Sequence, residues 1–277
     1  MGKVSLKKKE TEDQNMLDEF LDMAVKDSSI ERMSDMTEPI VVPTNIPSYN
    51  RATVVGGLTT GGTYSLCGKS QGGKTVFGIL CCNMFAQAGY PSLHIDAELT
   101  ADKIWFRALG LNLNKSLYLA PSSLEHASEE VDGFINKHIQ FREKVGKRIP
   151  ALIVVDSYNK LRPADEMKNT IVEGKKYPLH ALLFTDWLNR LTLPLSQNDI
   201  AFMVVRHDRA NMKKKGMYDP DTVSSGAESV NHESTFTIRF SESNKDKIDV
   251  SGQKRLIGFW HKFIIEKNKD GIRNKKQ

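Results

Sequence analysis

The clearest chemistry in this 277-residue chain lies in Gly68-Lys69-Ser70-Gln71-Gly72-Gly73-Lys74-Thr75. This run fits the phosphate-loop spacing G-x-x-x-x-G-K-[ST]. Its glycines let successive backbone N–H groups turn inward around an anion. Lys74 is then placed to reach the β- and γ-phosphates of ATP, and the Thr75 hydroxyl to meet Mg²⁺. A helix starting there points the positive end of its dipole at the phosphates.

Two carboxylates downstream match the needs of such a site. Glu98 follows Ser92-Leu93-His94-Ile95-Asp96, where it could orient and deprotonate the water that attacks the γ-phosphate; alternatively it is an acid favoured by the dipole of the next helix. Asp156 ends the aliphatic run Ala151 to Val155, where it could hold Mg²⁺ or its water, or could simply close a core strand. Two basic stretches follow strands of the same kind. The first carries Arg162, Lys168, Lys175 and Lys176; the second follows Arg206-His207 and carries Arg209, Lys213, Lys214 and Lys215. Both leaving one sheet edge beside a nucleotide, they would form a phosphate-tracking channel; otherwise they are solvated surface excursions.

The elements that must position these groups follow from pattern. Thr63 to Cys67, Ser92 to Asp96, Leu117 to Ala120, Ala151 to Asp156 and Ile200 to Val205 are β-prone apolar runs. Between them stand helical patterns: Val76 to Met84 ending at Gly89, Ala101 to Leu109, Ser122 to Phe141 with Ser122 as N-cap, and Leu182 to Leu191. Strand and helix alternating in this way predict an α/β core with a mainly parallel central sheet flanked by helices, its ligands at the carboxyl edge. Thr235 to Phe240, Arg255 to Trp260 and Phe263 to Ile265 read as antiparallel or edge strands, and Asp208 to Gly226 as a long loop. An amphipathic helix over Met16 to Met36 precedes a linker with Pro39, Pro43 and Pro47; it packs on its own domain or docks on a neighbouring subunit. Residues 1–50 thus form a helix and linker, 51–270 the ATPase core and 271–277 a basic tail.

Composition bounds the class. Hydrophobic residues make up 39% of the chain, enough for one large core, and the net charge of +5 suits nucleic acid without requiring it. No run approaches the roughly 18 apolar residues of a membrane span, and the Lys-rich start lacks an apolar signal core, so no membrane partner and a cytoplasmic location are expected. Cys67, Cys81 and Cys82 lack metal-site spacing and sit on apolar elements, which predicts buried reduced thiols.

From about Val42 to Lys269 the chain resembles the RecA-type homologous recombinases, and within them the phage UvsX branch more closely than the bacterial one. Ile95-Asp96-Ala97-Glu98 resembles the family's strand with its catalytic glutamate, and Asp102-Lys103-Ile104-Trp105-Phe106-Arg107-Ala108-Leu109-Gly110 continues the likeness. The resemblance implies that Asp102 and Trp105 contact the adenine ring, although a tryptophan among apolar neighbours is by itself a core residue. It implies that His207 senses the γ-phosphate and opens the second DNA-binding loop, with Ser224-Ser225-Gly226-Ala227 near that loop's end. It implies further that Lys267 and Lys269, in Glu266-Lys267-Asn268-Lys269, reach the ATP of the adjacent protomer. The expected activity is DNA-dependent ATP hydrolysis by filaments on single-stranded DNA in recombination and repair. The chain ends soon after Lys269, so the carboxy-terminal region that helps many members capture duplex DNA is either missing or cut from this sequence. A ring-forming hexameric DnaB-like helicase core and a weakly hydrolysing ATP-switched assembly factor are the alternatives.

Overall fold

The computed structural model describes residues 15–168, 179–210, 222–224, 228–241, 244–250 and 253–269. The chain divides into two compact units, one ending at Pro39 and one starting at Ile40. The first holds a helix, α1, over residues 15–25. The helical pattern reaches to Met36, but the helix stops early. Asp27 turns left-handed, and the Ser28 hydroxyl donates to the carbonyls of Ala24 and Val25, drawing them out of the helical ladder.

The second unit opens with β1 (Val41–Pro43), α2 (Pro47–Thr53) and β2 (Gly57–Thr59), where a linker was expected. β1 and β2 pair antiparallel, and Pro47 serves at the helix start, where its missing N–H costs nothing. Next come β3 (Thr63–Gly68), α3 (Lys74–Gln87), β4 (Ser92–Asp96), α4 (Lys103–Ala108), β5 (Ser116–Leu119), α5 (Leu124–Val145) and β6 (Ala151–Asp156). They are followed by α6 (Ala164–Lys168), α7 (Leu179–Gln197), β7 (Ile200–Val205), β8 (Asp208–Ala210), β9 (Thr222–Ser224) and α8 (Glu228–Glu233). Strands β10 (Phe236–Phe240), β11 (Asn244–Val250), β12 (Gln253–Trp260) and β13 (Phe263–Asn268) close the described chain.

Seven strands form one sheet in the order β13-β10-β3-β7-β6-β4-β5, parallel throughout except for β13 against β10. This is the expected mainly parallel α/β core. Successive residues of β6 point to opposite faces. Leu152 and Val154 join Phe77, Ile79 and Phe85 of α3, while Ile153 and Val155 join Val131 of α5 and Trp187 and Leu191 of α7. Helices on both faces explain why β3, β6 and β7 are buried along their whole length and read as unbroken apolar runs.

Local details differ from the expectations or add to them. The α5 N-cap is Ser123, whose hydroxyl accepts from the His126 N–H, rather than Ser122. The basic stretch from Arg162 contains the short helix α6, and the long loop from Asp208 begins and ends in the β8–β9 ladder. Strand β10 is interior, parallel to β3 in the register Leu66↔Ile238, with the antiparallel β13 as the edge. Finally, β12 pairs with β11, a strand whose Lys-Asp-Lys sequence carries no apolar alternation to announce it. The three cysteines are buried thiols outside any disulfide, as their setting predicts. Among the described residues no helix is long and apolar enough to cross a membrane.

Candidate functional site

Four neighbouring parallel strands, β3, β7, β6 and β4, end at the same edge of the sheet and deliver one functional group or more each. From β3 the chain enters the phosphate loop, with Lys69, Ser70 and Gln71 exposed and Gly72 buried. Gly68 (φ 139°) and Gly73 (φ 94°) take conformations open to glycine alone, and neither has room for a side chain. A Cβ on Gly68 would lie 2.1 Å from the Phe240 carbonyl oxygen, and one on Gly73 would lie 2.7 Å from the His261 ring. Lys74 begins α3 and is 3% exposed; its ammonium donates to the carbonyls of Gly68 (3.0 Å) and Lys69 (2.6 Å). Burial lowers its pKa, while Asp156, Asp208 and Glu98 pull it back up.

At the end of β4 Asp96 organises the turn that carries Glu98. Its Oδ1 accepts the N–H groups of Glu98 (3.1 Å) and Leu99 (2.8 Å), and its Oδ2 accepts the Ala101 N–H (3.1 Å) and the Tyr118 hydroxyl (3.3 Å). Leu99 holds φ 55° in that turn, a strain that four bonds to one buried carboxylate can sustain. Glu98 Oε1 accepts from the Ser157 hydroxyl (2.6 Å) and pairs with His207 Nε2 (2.8 Å), so the ends of β4, β6 and β7 meet at one oxygen. The His207 bond, with help from Ser157, holds the Glu98 carboxyl down at about 2 against the opposing effect of burial. His207 is placed in turn by its backbone N–H, which donates to Asn159 Oδ1 at 3.0 Å.

Asp156 lies beside Asp96 in register and bonds to the Thr75 side chain, while its Oδ1 is buried without a partner. A hydroxyl joined to a carboxylate that has one unsatisfied buried oxygen is a donor set that fits Mg²⁺. Burial pushes the Asp156 carboxyl up to about 6 from an ordinary 3.8; the Thr75 bond opposes this, and Glu98 and Asp96 add repulsion. Between those pH values an unfolded chain releases the proton more readily than the folded one, so metal-free stability falls as pH rises from about 4 to 6. Asp156→Asn is therefore expected to stabilise the metal-free protein at pH 7 by on the order of 1–3 kcal/mol, and to have little effect near pH 3. Denaturant melts at the two pH values check this; a loss of stability at pH 7 would refute it.

The remaining candidates lie around this centre. Asp102 caps α4, its Oδ1 accepting the Trp105 N–H at 2.7 Å, and half-buried Trp105 packs against the core beside Phe106. Lys267 donates to the carbonyls of Asn231 and His232 and Lys269 to that of His232, so within one chain both lysines hold the end of α8. Arg162 is exposed, Lys168 ends α6, and Arg209 lies in β8 opposite Val223. Lys175, Lys176, Lys213, Lys214 and Lys215 lie outside the described residues. Sequence reasoning did not single out Ser157, Asn159, Asp208 or Arg239. Arg239 bridges Asp208 (2.8 Å) and Glu266, joining the β7 end to β10 and β13. Ser157 was within reach, since it follows the strand that delivers Asp156; the others depend on contacts between distant segments.

The RecA N-terminal domain family matches residues 19–272. Similar chains include the protein named RecA of Mycoplasma genitalium, 28% identical over 255 residues, which are 91% of this chain and 66% of that one. The protein of the same name from Mycoplasma pneumoniae is 28% identical over 254 residues, 91% of this chain and 67% of its own. That of Deinococcus radiodurans is 29% identical over 188 residues, 67% of this chain and 48% of its own. The chain thus spans about two thirds or less of the length of these relatives.

Proposed function

Because this chain belongs to the RecA N-terminal domain family, we propose that it is an ATP-driven recombinase that assembles on single-stranded DNA for homologous pairing in recombination and repair. The observation that carries the reading is the bond between Glu98 and His207, because His207 stands at the start of the basic segment that leads to α8. A proton acceptor for hydrolysis and the entry to a DNA-facing segment share one hydrogen bond. Glu98 at about 2 is ionised at neutral pH but a feeble base while His207 and Ser157 hold it. Withdrawing His207 removes the largest influence lowering its pKa, so its basicity rises when His207 moves. Movement of the DNA-facing segment then gates hydrolysis, and the state of the nucleotide gates the segment in return.

The other residues have roles that follow from their chemistry. The phosphate-loop N–H groups from Lys69 to Thr75 and the start of α3 hold the phosphates of ATP, with Lys74 as the buried cation. Thr75 and Asp156 would hold Mg²⁺, which when bound supplies Lewis-acid neutralisation of phosphate oxygens. Asp102 and Trp105 flank the adenine, and Lys267 and Lys269 exchange their carbonyl partners on α8 for the nucleotide of an adjacent protomer. The segment before Ile40 makes a contact between protomers. Arg162, Lys168, Lys175, Lys176, Arg209 and Lys213 to Lys215 neutralise the DNA backbone.

Electron microscopy with single-stranded DNA and a slowly hydrolysed ATP analogue tests this assignment. Helical filaments are expected; closed rings would point to a helicase core and dispersed protomers to an assembly factor. In the same mixture the replacement of Lys213, Lys214 and Lys215 by Ala is expected to weaken binding to strands of any sequence. It should also flatten the salt dependence by roughly 0.7 per lost contact. An unchanged slope would remove these lysines from the DNA interface.

A further inference from the structure

Arg206, at the end of β7 and one residue before His207, is a large and wholly buried side chain whose partners are neutral. Its Nε donates to the Ser65 hydroxyl on β3 at 2.9 Å, its Nη2 donates to Asn231 Oδ1 on α8 at 2.5 Å, and its Nη1 has no partner. Among the described residues both of its hydrogen-bond partners are uncharged, and burial lowers its pKa. Asp208 opposes that shift through its charge but is not among its hydrogen-bond partners, and a cation buried with no carboxylate in hydrogen-bond contact costs stability that an apolar side chain of the same size would not. Stability therefore does not explain an arginine here, whereas the two elements it ties together do.

Those elements bracket the segment that the reading above assigns to DNA. The segment leaves the sheet at His207 and returns to it as α8, and Arg206 spans from the first point to the second. Its own main chain is fixed, the Arg206 N–H donating to the Leu66 carbonyl at 2.8 Å. The backbone of α8 is fixed separately by the Lys267 and Lys269 ammonium groups, which grip the carbonyls of Asn231 and His232.

We infer that Arg206 and Asn231 form a positioning pair, locking the carboxyl end of β7 to the helix that closes the DNA-facing segment and so setting where His207 meets Glu98. This rests on Glu98 and His207 being the hydrolytic base and its partner. Neither member is among the residues assigned above to ATP, Mg²⁺ or DNA. When α8 shifts, the guanidinium draws the residue before His207 with it, and the Glu98 bond lengthens or shortens accordingly. Misplacing a catalytic contact by about 1 Å can cost up to about a hundredfold in rate.

Asn231→Ala is the discriminating variant, because it deletes the acceptor at an exposed position and leaves the lysine bonds to backbone carbonyls in place. Its kcat for ATP is expected to fall about tenfold with KM changed less than about threefold, with and without single-stranded DNA. Asn231→Asp keeps an acceptor for Arg206 and should restore most of the rate. Arg206→Met should lower kcat similarly and raise the melting temperature, and the double variant should be no slower than the slower single one. A wild-type kcat in Asn231→Ala, no recovery in Asn231→Asp, or losses that multiply in the double variant would each overturn the pairing. Should the wild type hydrolyse ATP without responding to DNA, the recombinase reading fails, while the kcat of Asn231→Ala without DNA still decides whether the pair positions the site.

Discussion

Glu98→Gln is expected to keep ATP bound and to lower turnover by roughly 10²-fold or more, the scale for loss of a general base. The amide is nearly isosteric, and its oxygen can still accept from Ser157 or from a protonated His207, so the end of β4 should hold its shape. What disappears is a negative charge near Lys74 and the carboxylate proposed to take a proton from water. The turn itself depends on Asp96, whose four bonds do not involve the Glu98 side chain. Nucleotide affinity should even rise slightly, since Glu98 is one of the carboxylates near Lys74 and an anion must approach them. Single-turnover hydrolysis, measured beside equilibrium binding of a fluorescent nucleotide, separates the two effects. If affinity and turnover fall together, Glu98 builds the pocket and is not the base.

The phosphate loop and the strands leading to its partners were legible because each is a local pattern. Gly68 to Thr75 has fixed spacing, and Ala151 to Val155 must be apolar throughout because helices cover both of its faces. The meeting of groups was less accessible. Glu98 and His207 stand 109 positions apart, and only the strand order brings the ends of β4, β6 and β7 together at a single carboxylate oxygen. Strand order also hid the role of β10: Phe236 to Phe240 has the composition of an edge or an interior strand alike, and pairing with β3 decides between them. Strand β11 escaped notice because a solvated two-stranded ribbon buries neither face, leaving its lysines and aspartates free of any alternation. A buried arginine such as Arg206 is invisible to patterning, since arginine at a strand end ordinarily reads as solvated.

Lys74→Ala is expected to weaken ATP binding by at least about a hundredfold, a loss of about 3 kcal/mol or more, while the fold survives. The size follows from where the ammonium sits. It is 3% exposed and neutralises a concavity with the carboxylates of Asp156, Asp208 and Glu98 around it. Without it the loop would offer an incoming phosphate its N–H groups, but also the carbonyls of Gly68 and Lys69 stripped of the ammonium that faced them, and an uncompensated negative field. Folding is affected much less, because the charge removed was itself desolvated and the strand and helix flanking the loop are held by the apolar contacts of Leu66, Phe77 and Phe85. Calorimetric titration with ATP and Mg²⁺, with a thermal melt of each protein, gives both quantities. Lys74→Ala binding ATP within tenfold of the wild type would mean that the phosphates are held by backbone and dipole alone. The burial of a lysine among three acids would then have to be explained by stability, which the lowered pKa of Lys74 argues against.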